Sequence, residues 1–304
     1  MFWVSCYSKK KMIVIQLQGG LGNQMFQYAM AYILADKNKV PIKIDKGFFD
    51  FKKNARGCTP RNFELGVFYN SFLQASESDV ISLTNLSNIN KIKKRIGLNY
   101  PKIYEEPSFD FQSNAFSIKS PVYIKGYFQS YKYFIGYENL IQNFFSFPLD
   151  RLDRHNRELL LDIKRGNSIA IHVRRGDYVQ DKKTQQFHGN CSLQYYFDAI
   201  SLLVSKDKDV KLIFFSDDSD WVKAQFENLP HSKMFIDHNK NENSWKDMLL
   251  MSFCAHNIIA NSSFSWWAAW LNENPHKTII APKNWFAETE KNTNDLIPTE
   301  WIRL

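Results

Sequence analysis

Short apolar runs recur along the whole chain, each closing on a glycine, an acid or a polar pair and followed by residues at helical spacing. In the first half, MIVIQL at 12–17, VPIKID at 40–45 and VYIKGY at 122–127 are predicted strands. A helix is predicted near 23–37, and a polar Asn/Lys-rich connection near 84–99. In the second half, SIAIHV (168–173), KLIFFSDD (211–218), MFIDH (234–238), NIIAN (257–261) and KTIIAP (277–282) read as strands. SLQYYFDAISLLV (192–204), WVKAQF (221–226), WKDMLLMSFCAH (245–256) and SFSWWAAWL (263–271) read as helices between them. Strands with so little polar alternation suit a parallel sheet covered on both faces, and strict β-α-β order predicts a doubly wound α/β architecture.

Between these halves, 138–165 is helical and charged, with an apolar stripe through Leu140, Ile141, Phe144, Phe145, Leu159, Leu160 and Ile163 that Pro148 interrupts. The domain junction is predicted here, giving 12–150 and 151–304 as two α/β domains, a division that 304 residues can support. Because Met12 directly precedes the first strand, residues 1–11 are read as a start-site extension.

The formal charge of +8 favours an anionic partner: a nucleotide, a nucleic acid or a membrane surface. Lysines at 9–11 and the cluster Lys91, Lys93, Lys94 and Arg95 are either solvated faces or points of peripheral contact with anionic membrane. A nucleic-acid binder needs aromatics interleaved with exposed basic residues. Here the arginines gather at one strand end, so no nucleic-acid partner is expected. Cys6, Cys58, Cys191 and Cys254 have no metal or disulfide spacing, which fits a reducing cytoplasm. The order of the N-terminal residues is the reverse of a signal peptide, and no run approaches the roughly 20 apolar residues that span a bilayer.

Ligands of open α/β sheets collect at the carboxyl ends of the strands, so those ends hold the candidate chemistry. SIAIHV leads into Arg174, Arg175 and Asp177, within HVRRGDY. Two guanidinium groups leaving a buried strand require anions: either phosphate oxygens, whose geometry suits the arginine fork, or an internal salt bridge to Asp177. LIFFSDD ends on Ser216, Asp217 and Asp218, where one acid is expected to cap the next helix and the other to accept from the N1 and N2 edge of guanine. NIIAN ends on Asn261, Ser262 and Ser263, followed by Phe264, which read either as a helix cap or as an anion site built with backbone N–H groups. Trp266, Trp267 and Trp270 read as packing.

Taken in order, GGLGNQMFQYA, HVRRGDY, FFSDD and NSSFSWWAAWL, supported by HGNCSLQYY (188–196) and SWKDMLLMS (244–252), resemble the α-1,2-fucosyltransferases, glycosyltransferase family 11. The resemblance implies a GT-B-like fold, two facing Rossmann-type domains with the active site in the cleft between them, 12–150 on the acceptor side and 151–304 binding GDP-fucose. It also implies transfer of L-fucose, with inversion, from GDP-fucose to the 2-hydroxyl of a terminal galactose in an oligosaccharide, without a cofactor or an essential metal. The HxRRxD element is shared with α-1,6-fucosyltransferases, so another linkage stays open. By this analogy His172 and Asp217 or Asp218 bind guanine, Arg174 and Arg175 hold the diphosphate, and Ser216, Asn261, Ser262, Ser263 and Phe264 complete the donor site. Asp177 is the candidate base, or else it orients the arginines. The DSD at 218–220 and DKD at 207–209 match a metal–nucleotide pattern short enough to arise by chance.

LQGGLGNQMFQYA (17–29) lacks both the Lys-Ser/Thr of a P-loop and a third glycine for the dinucleotide fingerprint. With the diphosphate assigned to the second domain, Gly20 and Gly22 are expected to bring the first strand-to-helix turn close to the donor, and Asn23 and Gln24 to meet the fucose or the acceptor.

Overall fold

Ile13, Val14 and Ile15 expose no surface, because the strand they form lies inside a parallel sheet. The computed structural model describes residues 11–52, 61–85, 102–176, 189–205, 209–287 and 292–304. In the first unit, Met1–Phe145, strands β1 (Ile13–Gln16), β2 (Ile42–Asp45), β3 (Ile103–Glu105) and β4 (Val122–Lys125) form a parallel sheet in the order β2-β1-β4-β3. Helix α1 (Leu21–Asn38) follows β1 directly and is buried on almost every face, so its apolar residues are not confined to one stripe. It ends on Lys39 in the left-handed region, whose N–H closes on Ala35 and Asp36.

Two shorter helices, α2 (Gly47–Lys52) and α3 (Glu77–Thr84), follow. Ser76 and Asp79 form a reciprocal capping box on α3, and Asp79 also meets Lys43 of β2 at 2.6 Å, so one acid fixes both the helix start and its place on the sheet. Helix α4 (Glu138–Phe144) closes the unit. The division falls at Phe145/Ser146 instead of the predicted 150/151.

The second unit, Ser146–Leu304, opens with α5 (Arg154–Arg165), capped by Asp153. It continues through β5 (Ser168–Val173), α6 (Leu193–Val204), β6 (Lys211–Ser216), α7 (Ser219–Phe226) and β7 (Lys233–Ile236). Then come α8 (Trp245–Ser252), β8 (His256–Ile258), α9 (Ser263–Trp270), β9 (Ile279–Ala281) and β10 (Ile302–Arg303). The sheet order is β10-β9-β8-β5-β6-β7, all parallel. Numbered within this unit, that is the 3-2-1-4-5-6 order of a dinucleotide-binding fold, with the reversal between β5 and β8.

Every residue of β5 is buried, and Ile169, Ile171, Leu212, Phe214, Ile258 and Ile280 join Tyr196, Ile200 and Phe226 in one core. Trp266 and Trp267 are fully buried, and the Trp266 indole N–H donates to the carbonyl of Leu296 at 2.9 Å, so the tryptophan stripe is packing. Beyond β7, a buried amide exchange between Asn156 and Asn239 (2.9 Å each way) and an Asn239–Asp247 bond (2.8 Å) tie the loop to the starts of α5 and α8.

Candidate active site

β5 and β6 pair in full register, from Ser168 opposite Lys211 to Val173 opposite Ser216. The residues that follow each strand therefore emerge side by side. An Arg174 guanidinium nitrogen lies 2.8 Å from Asp217 Oδ2, and the Arg175 backbone N–H donates to Asp217 Oδ1 at 2.9 Å. Arg175 Nε donates to Asp218 Oδ2 at 3.3 Å, and its guanidinium lies 3.7 Å from the centre of the Trp221 ring. Both arginine side chains keep about a fifth of their surface exposed, 22% and 23%. This is a rack: acids and a tryptophan face hold two charged forks in place at the strand ends.

The two acids take different places in this rack. Asp218 caps α7, accepting from the Trp221 N–H, while its own N–H rests on Ser216 Oγ at 3.0 Å. Asp217 pairs with Arg174 and accepts from the backbone N–H of Arg175, with a quarter of its side chain exposed. Asp217 and Asp218 are the carboxylate partners of the two arginines among the described residues, and Asp177, the partner named in the salt-bridge alternative, lies outside them. A β-carbon at Gly176 would stand 2.8 Å from Asp217 Oδ2, so a side chain there would push this carboxylate aside.

His172, on β5, has a side chain that is nearly all buried, with its ring 5.7 Å from that of Phe264 on α9. Its Nδ1 is buried without a hydrogen-bond partner among the described residues. Burial first, then the Arg174 charge, push its pKa down to about 4, against a smaller opposing pull from Asp217. The native state thus binds fewer protons than the unfolded chain between about pH 4 and 6.5, and the stability this residue confers is lost as pH falls through that window. NMR titration of the histidine ring protons should place the His172 midpoint near 4, and a midpoint near 6.5 would refute the buried neutral assignment.

Across the reversal, the end of β8 carries a different arrangement from the one expected. Asn261 is buried, and its amide donates to the carbonyls of Gly189 and Trp285 at 3.2 Å each while its oxygen accepts from the Cys191 thiol. It therefore fastens two loops instead of presenting donors to an anion. Ser262 is the cap of α9, accepting from the Phe264 N–H, and Ser263 is half-buried beside it.

In the first unit the glycine motif also takes another form. Gly19 (φ +76°) is the residue that needs glycine: a β-carbon there would run into the Asn23 amide. Gly20 is the extended N-cap of α1, and Gly22 is buried inside the helix instead of lying in the turn. Gln24, expected to meet substrate, is wholly buried. Its amide donates to the carbonyls of Gly19 (2.9 Å) and Asn62 (2.8 Å), and its oxygen accepts from the N–H groups of Glu64 (2.9 Å) and Leu65 (3.4 Å). It is a brace for the loop at 62–65. Asn23 is half-buried, and its oxygen accepts from the Gln129 amide at 2.8 Å.

Sequence reasoning missed Trp221 as the platform for Arg175 and Gln129 as the partner of Asn23. The first had a signal, since Trp221 stands three residues past the Asp218 cap and so returns to the strand end; the second had none. Among the described residues, no group of His, Cys, Asp and Glu could hold a metal ion, and no helix is long and apolar enough to cross a membrane. Lys9, Lys10 and the cluster at 91–95, together with Asp207 of the DKD, lie outside the described residues.

The family model for glycosyl transferase family 11 matches residues 3–304. An alpha-1,2-colitosyltransferase of Escherichia coli is 33% identical over 303 residues, 96% of this chain and 98% of the relative. A galactoside alpha-(1,2)-fucosyltransferase 1 of Aotus azarae is 26% identical over 131 residues, 40% of this chain and 35% of the relative. Among solved structures, a mutant of Arabidopsis thaliana FUT1 in complex with GDP shares the fold, with a TM-score of 0.52 and 14% identity over 93% of this chain and 73% of that one. The chain belongs to glycosyl transferase family 11.

Proposed function

We propose that this family 11 glycosyltransferase moves L-fucose from GDP-fucose to the 2-hydroxyl of a terminal galactose, with inversion at the anomeric carbon. The observation that carries the reading is the pair of guanidinium groups at the end of β5, beside the strand-order reversal where nucleotides bind in such sheets. Cleavage of the bond between the sugar and the β-phosphate leaves an electron pair on GDP, and fixed positive charge at that oxygen lowers the barrier most. Arg174 and Arg175 supply it, exchanging part of their carboxylate pairing for phosphate oxygens. His172, neutral and with a buried ring nitrogen unsatisfied, suits hydrogen bonding to guanine. The acceptor hydroxyl loses its proton as its oxygen bonds to the anomeric carbon, and Asp177 is the candidate to take that proton.

The test offers the protein GDP-fucose with lactose, N-acetyllactosamine and Galβ1-3GalNAc, with the linkage fixed by NMR. An α-1,2-fucosylated product is expected, formed equally in EDTA. Transfer to another hydroxyl overturns the linkage, and loss in EDTA with rescue by Mn²⁺ or Mg²⁺ overturns the metal-free reading. A second reading, colitosyl transfer, is favoured by the 33% identity to a colitosyltransferase along nearly the whole chain. Comparing kcat/KM for GDP-colitose and GDP-fucose decides between the two. Peripheral contact with anionic membrane is part of the proposal, and vesicle co-sedimentation tests it.

A further inference from the structure

Helix α5 turns a basic face outward that the donor site does not use. Asn156, Leu159, Leu160 and Ile163 are its buried residues, and the helix packs beside α8. At the helical period, Arg154, Arg157, Glu158, Leu161, Lys164 and Arg165 share the opposite face, and all of them are exposed. Leu161, in the middle of this face, is 53% exposed. Phe253, in the turn after α8, meets the same end of the helix, with the Lys164 ammonium 4.2 Å from the centre of its ring. Leu149, in the turn before α5, is exposed as well, and the Arg157 guanidinium folds back onto that turn, donating to the Asp150 carbonyl at 2.8 Å. Leu149, Leu161 and Phe253 thus stand among cations along one strip.

The strip stays positive because its acids are already paired. Glu158 meets Arg154 at 2.8 Å, and Asp162 is held by Lys211. Among the described residues, no carboxylate forms an ion pair with Arg157, Lys164 or Arg165. Nucleic acid would match this charge but offers nothing to the exposed leucines. An anionic bilayer offers both parts: a negative surface for the cations, and an apolar layer just below the headgroups for Leu161 and Phe253. The placement agrees. Helix α5 runs back to the start of β5, so Lys164 and Arg165 stand at the amino edge of the second sheet, as does Phe253 just before β8. The guanidinium rack stands at the other end of β5 and β6. A surface held through this strip leaves that end open to a nucleotide arriving from water.

We infer that the outer face of α5, together with Leu149 and Phe253, is the surface through which this protein rests on anionic lipid, with Arg157, Lys164 and Arg165 among the headgroups and Leu161 and Phe253 entering the apolar layer. This rests on the membrane contact proposed above and adds the face that makes it. It sets that contact on α5 instead of on the basic clusters at 9–11 and 91–95.

The test is co-sedimentation of the full chain, at physiological ionic strength, with vesicles of phosphatidylcholine alone and with vesicles of equal parts phosphatidylcholine and phosphatidylglycerol. Wild type should partition onto the anionic vesicles only. One cation near such a surface is worth about fivefold in binding, so the combined variant Arg157→Gln, Lys164→Gln, Arg165→Gln should lose roughly 100-fold. Leu161→Asn combined with Phe253→Asn should lose roughly fivefold or more through the apolar contact alone. Circular dichroism and transfer to a soluble acceptor should stay at wild-type values in both. If wild type binds anionic vesicles and the charge variant binds them equally well, the α5 assignment is overturned and the membrane reading stands; loss on changing Lys91, Lys93, Lys94 and Arg95 to Gln then locates the contact there. If wild type ignores both vesicles, the membrane reading and the face fall together. A random oligonucleotide bound as tightly as the anionic vesicles, or a dimer in light scattering that the charge variant dissociates, gives this face another occupant and overturns the inference.

Discussion

Arg174→Ala is expected to reduce kcat by roughly 100-fold or more, the loss typical of removing one preorganised charge-stabilising group. The effect comes from the transition state, where negative charge grows on the departing diphosphate, so kcat should fall more steeply than GDP affinity. The substitution also strips Asp217 of its 2.8 Å guanidinium partner. Asp217 stays about a quarter exposed and retains the Arg175 N–H at 2.9 Å, so water can solvate it and the fold should survive. Single-turnover kinetics with saturating donor separate the two effects. Wild-type turnover in the variant would remove Arg174 from the diphosphate site. Asp217→Asn gives the complementary check: if the carboxylate serves chiefly to hold the arginine, it should weaken transfer less than the loss of Arg174 itself.

Gln24→Leu carries the second large expectation, and it concerns stability. Leucine fits the volume but leaves the carbonyls of Gly19 and Asn62 and the N–H of Glu64 without the amide that satisfies them. At about 1–3 kcal/mol for each buried group left without a partner, partly relieved where the loop reaches solvent, the cost should be roughly 2–4 kcal/mol. Against a total of about 5–15 kcal/mol for a domain, that is a large fraction. Urea unfolding followed by far-UV circular dichroism should show a lower midpoint, and hydrogen exchange should rise first at 61–65. An unchanged midpoint together with a raised acceptor KM would return Gln24 to the substrate contacts.

The β-α-β framework of both units was legible because buried parallel strands are nearly unbroken apolar runs ending in turn residues. The strands that escaped, β3 and β10, are three and two residues long, too short to carry a period. Arg174, Arg175, Asp217 and Asp218 were legible as strand-end charges, but their mutual pairing was not. It depends on register, which the separate strands do not announce. Gln24 and Asn261 misled for a common reason: each is a polar residue where a strand meets a helix, which reads as a ligand group. Their partners lie at Asn62 and Glu64, and at Gly189 and Trp285, far along the chain.

The ladder between β5 and β6 has a consequence for how such a chain can change. The match of Arg174 and Arg175 to Asp217 and Asp218 follows the register of six paired residues in each strand. Loss of one residue inside either strand would offset the charge rack and turn the side chains to the opposite face. The two dipeptides are therefore inherited as a single unit, and a graft of one strand-end pair into another scaffold succeeds only if its counterpart travels with it.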